Sequence, residues 1–379
     1  MIGIKSDKII VGEGLFVGYL YLKDGKVLDV STESRPCEEV YDYTDLYVSP
    51  GFIDLHTHGA GGHAFMNSTV DDVIKGSLYH LRRGTTCILP TISAGEFSVM
   101  KDAVRGIQKA MKSGKAPSIF GAHLEGPYLS KNQCGAQNTA YLTPPLQADY
   151  ESLINEYGST VKRWTYAPEN DADGQFCKFI TSHGVIASAG HSDAIYEDMQ
   201  AAMENGCNLI THLYSCTSTI TRDHGFRRLG IIETAYLEKD MYVEIIADGK
   251  HLPPDLIRLI IKNKGTDKVA LITDSLEIAG TDIKEGVMSG TEFIVEDGVC
   301  KLKDRSAFAG SVATTDILIK TMVKECGFSV PTAVKMLTKV PAEILKVNKG
   351  ELKVGKDADI VVFDEDINIK QVFLAGKKI

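Results

Sequence analysis

Short apolar runs alternate with amphipathic stretches through the middle of the chain. The eight apolar runs end near His58, Thr91, Glu125, Glu169, His191, His212, Asp248 and Asp274. Helical periodicity separates many of them, as at 70–83, 96–112, 173–183, 194–205 and 254–263. Eight strands in simple alternation with helices predict a (β/α)8 TIM barrel, because a doubly wound sheet rarely reaches that number.

The two ends of the chain have a different sequence pattern, which is typical of β-strands. Residues 1–49 alternate apolar and polar positions around the turn dipeptide Asp24-Gly25, and the runs 358–363 and 371–374 look the same. We therefore expect a small β-sandwich domain formed by residues 1–49 and 341–379, flanking a barrel at 50–340. A β-like stretch at 281–305, with a hairpin at 293–299, is predicted to be an insertion before the last helices.

Composition narrows the class of protein. The chain has 379 residues, of which 44% are hydrophobic and 24% charged, as in a soluble protein with an ample core. A net charge of -9 argues against a nucleic-acid or anionic-membrane partner. The eight cysteines include no C-x-x-C pair, residues 1–10 show no apolar h-region, and no segment approaches the ~20 apolar residues of a membrane span. We expect a cytoplasmic protein.

Several of the strand ends carry groups that can bind a metal. His56 and His58 lie two apart on a strand, so both imidazoles point to one face, where they suit a divalent ion. Glu125 ends an apolar run, and a buried carboxylate there needs a cationic partner. His191 and His212 close later strands in the same manner. Any one of them alone could be a hydrogen-bonded core residue, but their recurrence in order favours metal binding.

The eighth run ends in an acid. Asp274 can take a proton from an attacking water and return it to a leaving nitrogen; the alternative is a helix N-cap. The fourth run, at 161–169, has no lysine at its end that could be carbamylated to bridge two metals. Glu125 can take the bridging position instead.

These residues carry a family resemblance. The segment Pro-Gly-Phe-Ile-Asp-x-His-x-His at 50–58, with later strand histidines and Asp274, resembles the amidohydrolase superfamily. Further segments resemble the N-acetylglucosamine-6-phosphate deacetylase family within it, and so does the tail from Pro341 through Asp359. These segments are His-Leu-Glu-Gly-Pro (123–127), Ala-Pro-Glu (167–169), Gly-His-Ser (190–192), Thr-His-Leu-Tyr (211–214), Ile-Ala-Asp-Gly-x-His (246–251) and Thr-Asp-Ser (273–275).

The resemblance implies hydrolysis of the N-acetyl group of N-acetylglucosamine 6-phosphate, giving glucosamine 6-phosphate and acetate, with Asp274 as general base and then acid. It implies a main metal on Glu125, His191 and His212. A second metal would use His56 and His58 with Glu125 and Asp274, so one or two divalent ions are expected. Zinc is the first expectation, and such ligands also admit iron, manganese or cobalt.

The resemblance also implies substrate contacts and a homodimer. His251 and Asp248 would line the sugar pocket, and Ala309, Gly310 and Ser311 form a substrate-side loop. In the family an arginine after the sixth strand, often reaching across a dimer interface, binds the phosphate of the amino-sugar substrate. Arg222 is the nearest candidate for this role, with Arg227 and Arg228 as rivals.

Two segments depart from the family pattern. Ser215-Cys216-Thr217 stands where the family has Asn-Ala-Met near the phosphate. Cys134-Gly135-Ala136-Gln137 stands where it has Lys-Gly-Ala-His, so that Gln137 replaces a histidine that contacts the substrate amide. Glutamine donates a hydrogen bond but does not become cationic. The alternatives are therefore a deacylase of another N-acyl amino sugar, an N-acyl amino acid or a cyclic amide. A non-catalytic scaffold would lack ligands, yet none of the expected metal or acid positions is missing.

Overall fold

The N-terminal strands begin a mixed β-sheet. The computed structural model describes residues 1–288 and 291–379. The first five strands are β1 (Ile2–Val11), β2 (Gly14–Lys23), β3 (Lys26–Ser31), β4 (Glu39–Asp42) and β5 (Tyr47–Pro50). β1, β2 and β3 pair in antiparallel fashion, while β4 and β5 run parallel to β1. Asp24 and Gly25 connect β2 to β3 with φ values of 51° and 76°, which confirms the predicted hairpin turn.

The middle of the chain alternates strands and helices. Its strands are β6 (Phe52–Thr57), β7 (Gly59–Ala60), β8 (His63–Ala64), β9 (Thr85–Ile92), β10 (Ala122–Glu125), β11 (Val161–Tyr166), β12 (Ile186–Ala189), β13 (Leu209–Ile210), β14 (Thr221–Asp223), β15 (Phe226–Arg228), β16 (Tyr242–Ile246) and β17 (Val269–Ile272). Its helices are α1 (Val70–Arg82), α2 (Phe97–Lys112), α3 (Gln147–Tyr157), α4 (Gln175–Ser182), α5 (Tyr196–Glu204), α6 (Ile231–Leu237) and α7 (Pro254–Lys264). The short β7–β8 and β14–β15 pairs are hairpins that stand outside this alternation.

Eight of these strands form the predicted (β/α)8 barrel. They lie in the order β6-β9-β10-β11-β12-β13-β16-β17, and every neighbouring pair is parallel. Their residues are almost all buried, as expected for parallel strands covered by helices. The carboxyl ends of all eight strands therefore meet at one mouth of the barrel.

A four-stranded sheet follows the last barrel strand. It contains β18 (Glu285–Met288), β19 (Thr291–Glu296), β20 (Val299–Leu302) and β21 (Phe308–Gly310). The predicted β-like insertion at 281–305 is confirmed, except that residues 289 and 290 lie outside the described residues. Phe293 and Cys300 of this sheet pack on Leu276 and Ile278, which follow β17. The insertion is thereby fixed next to the barrel mouth.

The chain ends by returning to the first sheet. The remaining elements are α8 (Thr315–Lys324), α9 (Val330–Leu337), α10 (Lys339–Leu345), β22 (Ile360–Phe363), β23 (Ile369–Leu374) and β24 (Lys377–Lys378). β22 pairs with β5, so both chain ends build one eight-stranded sheet with a shared apolar core, as predicted. The boundaries at 49/50 and 340/341 stay predictions. No helix in the described part of the chain combines the length and the apolar character needed to cross a bilayer.

Candidate active site

The barrel brings six predicted site residues together at its mouth. His56 lies in β6, His58 follows it, and Glu125 is the last residue of β10. His191, His212 and Asp274 each come two residues after a barrel strand. Because all eight strands are parallel, these positions share one edge of the barrel, where (β/α)8 enzymes carry their chemistry.

The backbone is strained at three of these residues. His191, His212 and Asp274 have φ values of 47°, 27° and 47°, in the left-handed region that favours glycine. A side chain in that region costs roughly 1–2 kcal/mol per residue. Left-handed backbone at non-glycine residues is found frequently at active sites and ligand clamps.

Two groups of ligand atoms share the carboxylate of Glu125. The Nε2 atoms of His191 and His212 lie 3.2 and 3.0 Å from its Oε1. The Nε2 atoms of His56 and His58 lie 3.2 Å from Oε1 and 3.3 Å from Oε2, respectively. Within each group the ligand atoms lie within 4.8 Å of one another. Imidazole nitrogens gathered around a carboxylate are the donor set of a divalent metal site.

Outer hydrogen bonds fix the tautomers of two histidines. The Nδ1–H of His191 donates to the Gln133 carbonyl oxygen at 2.8 Å, and that of His212 to the Ser215 carbonyl oxygen at 3.0 Å. In a neutral ring this leaves a lone pair on each Nε2, directed at a carboxylate oxygen of Glu125. Two such electron-rich atoms need a cation between them, so the residues present fit a divalent ion.

His56 and His58 differ in the contacts of their Nδ1 atoms. Nδ1 of His58 contacts the Ser93 hydroxyl at 3.0 Å. Nδ1 of His56 is buried without a hydrogen-bond partner among the described residues. The His56 ring is instead packed edge-on against His123, with ring centroids 4.6 Å apart. Among the described residues, His56 therefore lacks the outer contact on Nδ1 that orients the other three histidines.

The acids of the site stabilise positive charge on His58, whereas burial lowers the pKa of the neighbouring His56 to about 4. Burial lowers the pKa of His58, but hydrogen bonds and charge from Asp274 and Glu125 outweigh burial and raise that pKa to about 10. Burial raises the pKa of Asp274, yet His56 and His58 bring it down to about 2. Asp274 is consequently a carboxylate at neutral pH. A site that favours positive charge on an imidazole also favours a bound cation.

A cavity of about 520 Å³ opens above these groups. Of the predicted substrate residues, those that line it are Ala136, Gln137, Ser215, Cys216, His251, Ala309 and Gly310. Asp248 and Ser311 do not line it: the Asp248 carboxylate accepts from His251 Nδ1 at 2.8 Å, and the Ser311 hydroxyl donates to the Thr273 carbonyl at 2.5 Å. These two residues support the wall of the cavity.

The predicted phosphate-binding arginines lie elsewhere. Arg222, Arg227 and Arg228 are on the β14–β15 hairpin, and the first two are exposed. The Arg228 guanidinium is paired with the Asp223 carboxylate at 2.9 Å. Over residues 1–288 and 291–379, no arginine lines the cavity. A single chain therefore does not bring these arginines into the cavity that holds its own candidate metal ligands.

Comparison with known proteins identifies the family. The family model described as Amidohydrolase family matches residues 47–379. The chain belongs to the amidohydrolase family. It is a hydrolase of the metal-dependent amidohydrolase type, and members of this superfamily use divalent metals.

Similar members of this family share most of the chain. An N-acetylglucosamine-6-phosphate deacetylase of Bacillus subtilis is 31% identical, covering 93% of this chain and 90% of the relative. The enzyme of the same name from Lysinibacillus sphaericus is 30% identical, covering 94% of this chain and 92% of the relative. An N-acetylgalactosamine-6-phosphate deacetylase of a Shewanella species is 29% identical over 92% and 87%. The crystal structure of the Pasteurella multocida N-acetylglucosamine-6-phosphate deacetylase has a TM-score of 0.93 at 29% identity and covers 100% of this chain and 99% of that one.

Several residues of this amidohydrolase site are not evident in the sequence. Ser93 and Gln133 lie in loops and contact histidines of the candidate metal site. Ser93 contacts His58 through its hydroxyl group, and Gln133 contacts His191 through its backbone carbonyl. No sequence motif predicts these contacts. Phe293, Leu302 and Phe308 from the insertion line the cavity. The apolar pattern of the insertion predicts strands, but it does not indicate that they face the candidate metal site.

Proposed function

We propose that this amidohydrolase removes the acetyl group from N-acetylglucosamine 6-phosphate, giving glucosamine 6-phosphate and acetate. One observation carries the proposal: Asp274 and two sets of metal-competent residues meet around Glu125 at the floor of a single cavity. Relatives that share 30–31% identity over more than nine tenths of this chain carry that activity in their names.

The ligand geometry supports an assignment of two metal sites. Glu125, His191 and His212 would hold the main ion, because both ring nitrogens of these histidines are oriented. His56 and His58, with Glu125 and Asp274, would hold a second ion. Zinc is favoured, with iron, manganese and cobalt as alternatives for the same ligands. When bound, the ion polarises the acetamide carbonyl and makes hydroxide available near neutral pH.

Asp274 moves the proton in this proposal. Water oxygen attacks the acetyl carbon while the Asp274 carboxylate accepts its proton. The carbon–nitrogen bond then breaks, and Asp274 returns the proton to the departing nitrogen, so acetate and a free amine leave. Asp274 is suited to the first step because its pKa of about 2 keeps it ionised.

His251 would orient the sugar. Its Nδ1–H donates to Asp248, so Nε2 is left free as a hydrogen-bond acceptor for a hydroxyl group of the substrate. Ser215, Cys216 and the loop at Ala309 and Gly310 would form the remaining polar and backbone contacts in the cavity.

The phosphate contact would come from a second copy of the chain. Arg222 is exposed on the β14–β15 hairpin and does not line the cavity of its own chain within the described residues. A homodimer that places this hairpin over the partner's cavity would supply the missing positive charge. The eight free cysteines suit the reducing cytoplasm, which we propose as the location.

A second candidate substrate is N-acetylgalactosamine 6-phosphate. Relatives named N-acetylgalactosamine-6-phosphate deacetylase are 29% and 27% identical to this chain. These identities are close to those of the relatives named N-acetylglucosamine-6-phosphate deacetylase. The chain also departs from the family pattern at Ser215-Cys216-Thr217 and at Gln137. The same departures would also suit another N-acyl amino sugar as the substrate.

A side-by-side assay separates these candidates. Acetate release from the two phosphorylated sugars is compared as kcat/KM with metal-loaded protein. We expect the N-acetylglucosamine compound to be preferred. A higher kcat/KM for the galactosamine compound would transfer the assignment to that sugar, and turnover of neither would refute both.

A further inference from the structure

The side chain of Gln137 lies against Glu125. Its Nε2 donates to Glu125 Oε2 at 2.8 Å, and its Oε1 accepts from the backbone N–H of Ala94 at 3.0 Å. An amide has one donating and one accepting end. Because the backbone N–H of Ala94 requires the oxygen, the donating end is fixed toward the carboxylate.

This contact completes the surroundings of the Glu125 carboxylate. Oε1 faces His56, His191 and His212, while Oε2 faces His58 and the Gln137 amide. The terminal torsion of a glutamate has a broad energy profile, so its carboxylate rotates unless its surroundings hold it. Gln137 is a donor that fixes this rotation without adding charge next to a cation site.

The loop that carries Gln137 is itself anchored. The Asp193 carboxylate accepts from the side chains of Ser130, Asn132 and Gln133 at 2.8, 2.9 and 2.8 Å. The carbonyl of Gln133 in the same loop accepts from His191 Nδ1. The 130–137 loop thus contacts two predicted metal ligands: His191 through the Gln133 carbonyl and Glu125 through the Gln137 side chain.

We propose that Gln137 is a positioning residue, which orients Glu125 for metal binding through the amide–carboxylate hydrogen bond. The inference rests on the proposed function, in which Glu125 binds the metal. It gives Gln137 a role in metal retention that differs from the substrate-amide contact expected from its place in the sequence. The amide performs this role at any pH, because it does not titrate.

The test uses Gln137→Met, which keeps the length of the side chain and removes the donor, together with Gln137→Ala. Metal dissociation constants are measured by competition with a chelator, and kcat and KM at saturating metal. Loss of such an outer hydrogen bond weakens metal affinity typically ~10–100-fold, and we expect a change of that size. KM should stay unchanged once metal is saturating. If Gln137→Met fails to fold, Gln137→Ala provides the same comparison.

Asn132→Ala is the matched control. It removes a donor to Asp193 from the same loop, but within the described part of the chain its side chain has no hydrogen bond to a predicted metal ligand. We expect its metal affinity to match that of the wild type. Unchanged metal affinity in both Gln137 variants, with a higher KM, would overturn the inference in favour of a substrate contact. An equal loss in Asn132→Ala would assign the effect to the loop as a whole and overturn it too. A wild-type protein that binds no divalent ion would refute the proposed function instead.

Discussion

The Nε2 atom of His58 lies 3.2 Å from Oδ1 of Asp274, although these residues follow the first and the last strand of the barrel. The contact spans the seam where β6 and β17 close the cylinder. The backbone N–H of Asp274 donates to the His56 carbonyl at 2.9 Å, and buried Asp54 accepts from the Thr273 hydroxyl at 2.6 Å. The proposed base is therefore positioned by barrel closure itself.

Asp274→Asn is expected to abolish most turnover while the fold and the main metal ion on Glu125, His191 and His212 are retained. The amide has nearly the same shape, but it cannot accept the proton of water. General acid–base catalysis contributes typically ~10²–10⁴-fold, and we expect kcat to fall by that order. Steady-state kinetics with metal analysis of the same sample checks this. A rate near that of the wild type would remove Asp274 from the role of base.

Metal content is expected to depend differently on the two histidine pairs. The wild type should bind two divalent ions per protomer, and His56→Ala should lose one of them while His212→Ala loses the main ion. The physical reason is that both ring nitrogens of His212 are oriented, whereas Nδ1 of His56 has no partner among the described residues. Elemental analysis of purified protein gives the stoichiometry. One equivalent in the wild type that survives His56→Ala unchanged would indicate a single site.

Arg222→Ala is expected to raise KM for the phosphorylated sugar far more than for its dephosphorylated analogue. Loss of a charged hydrogen bond to phosphate costs about 1.5–3 kcal/mol, which corresponds to roughly a 10–150-fold change in affinity. The neighbouring exposed Arg227→Ala is the comparison variant. Equal effects of Arg222→Ala on both substrates would remove this residue from phosphate binding, and a larger effect of Arg227→Ala would transfer the role.

We expect buried His80 to lower the free energy of unfolding at acidic pH. The ring is fully buried: Nε2 contacts the Gly59 carbonyl at 3.1 Å, and Nδ1 has no partner among the described residues. Burial lowers the pKa of His80 to about 4. Between that value and the ordinary pKa of about 6.5, the unfolded chain binds the proton more readily, so stability falls as pH falls through this window. The full effect is on the order of 3 kcal/mol.

Urea unfolding of the wild type and of His80→Gln at about pH 5 and pH 7 measures this contribution. The variant should lose less stability on acidification than the wild type. His183→Gln, at an exposed histidine, is the control and should behave like the wild type. An identical pH response in all three proteins would contradict the assignment to His80.

The strand order and the gathering of the candidate metal ligands could be predicted from the sequence, because the strands are short apolar runs and several of them end in a residue that can bind a metal. His56, Glu125 and Asp274 are recognisable on that basis alone. Arg163 is not: it is fully buried in the barrel and paired with Glu244, although arginine is a residue expected at the surface. The pair depends on two strands that are distant in sequence. The contacts of Gln137 and Ser93 depend on loop conformation, which follows no periodicity.

The most direct test of the account is amine release from N-acetylglucosamine 6-phosphate, with unphosphorylated N-acetylglucosamine alongside. Both substrates are given to metal-loaded protein and to protein stripped by a chelator. We predict turnover that requires the metal and strongly prefers the phosphorylated sugar, and that returns when a divalent ion is restored. Metal-loaded protein that releases amine from neither sugar would contradict the account and direct the search to other N-acyl compounds.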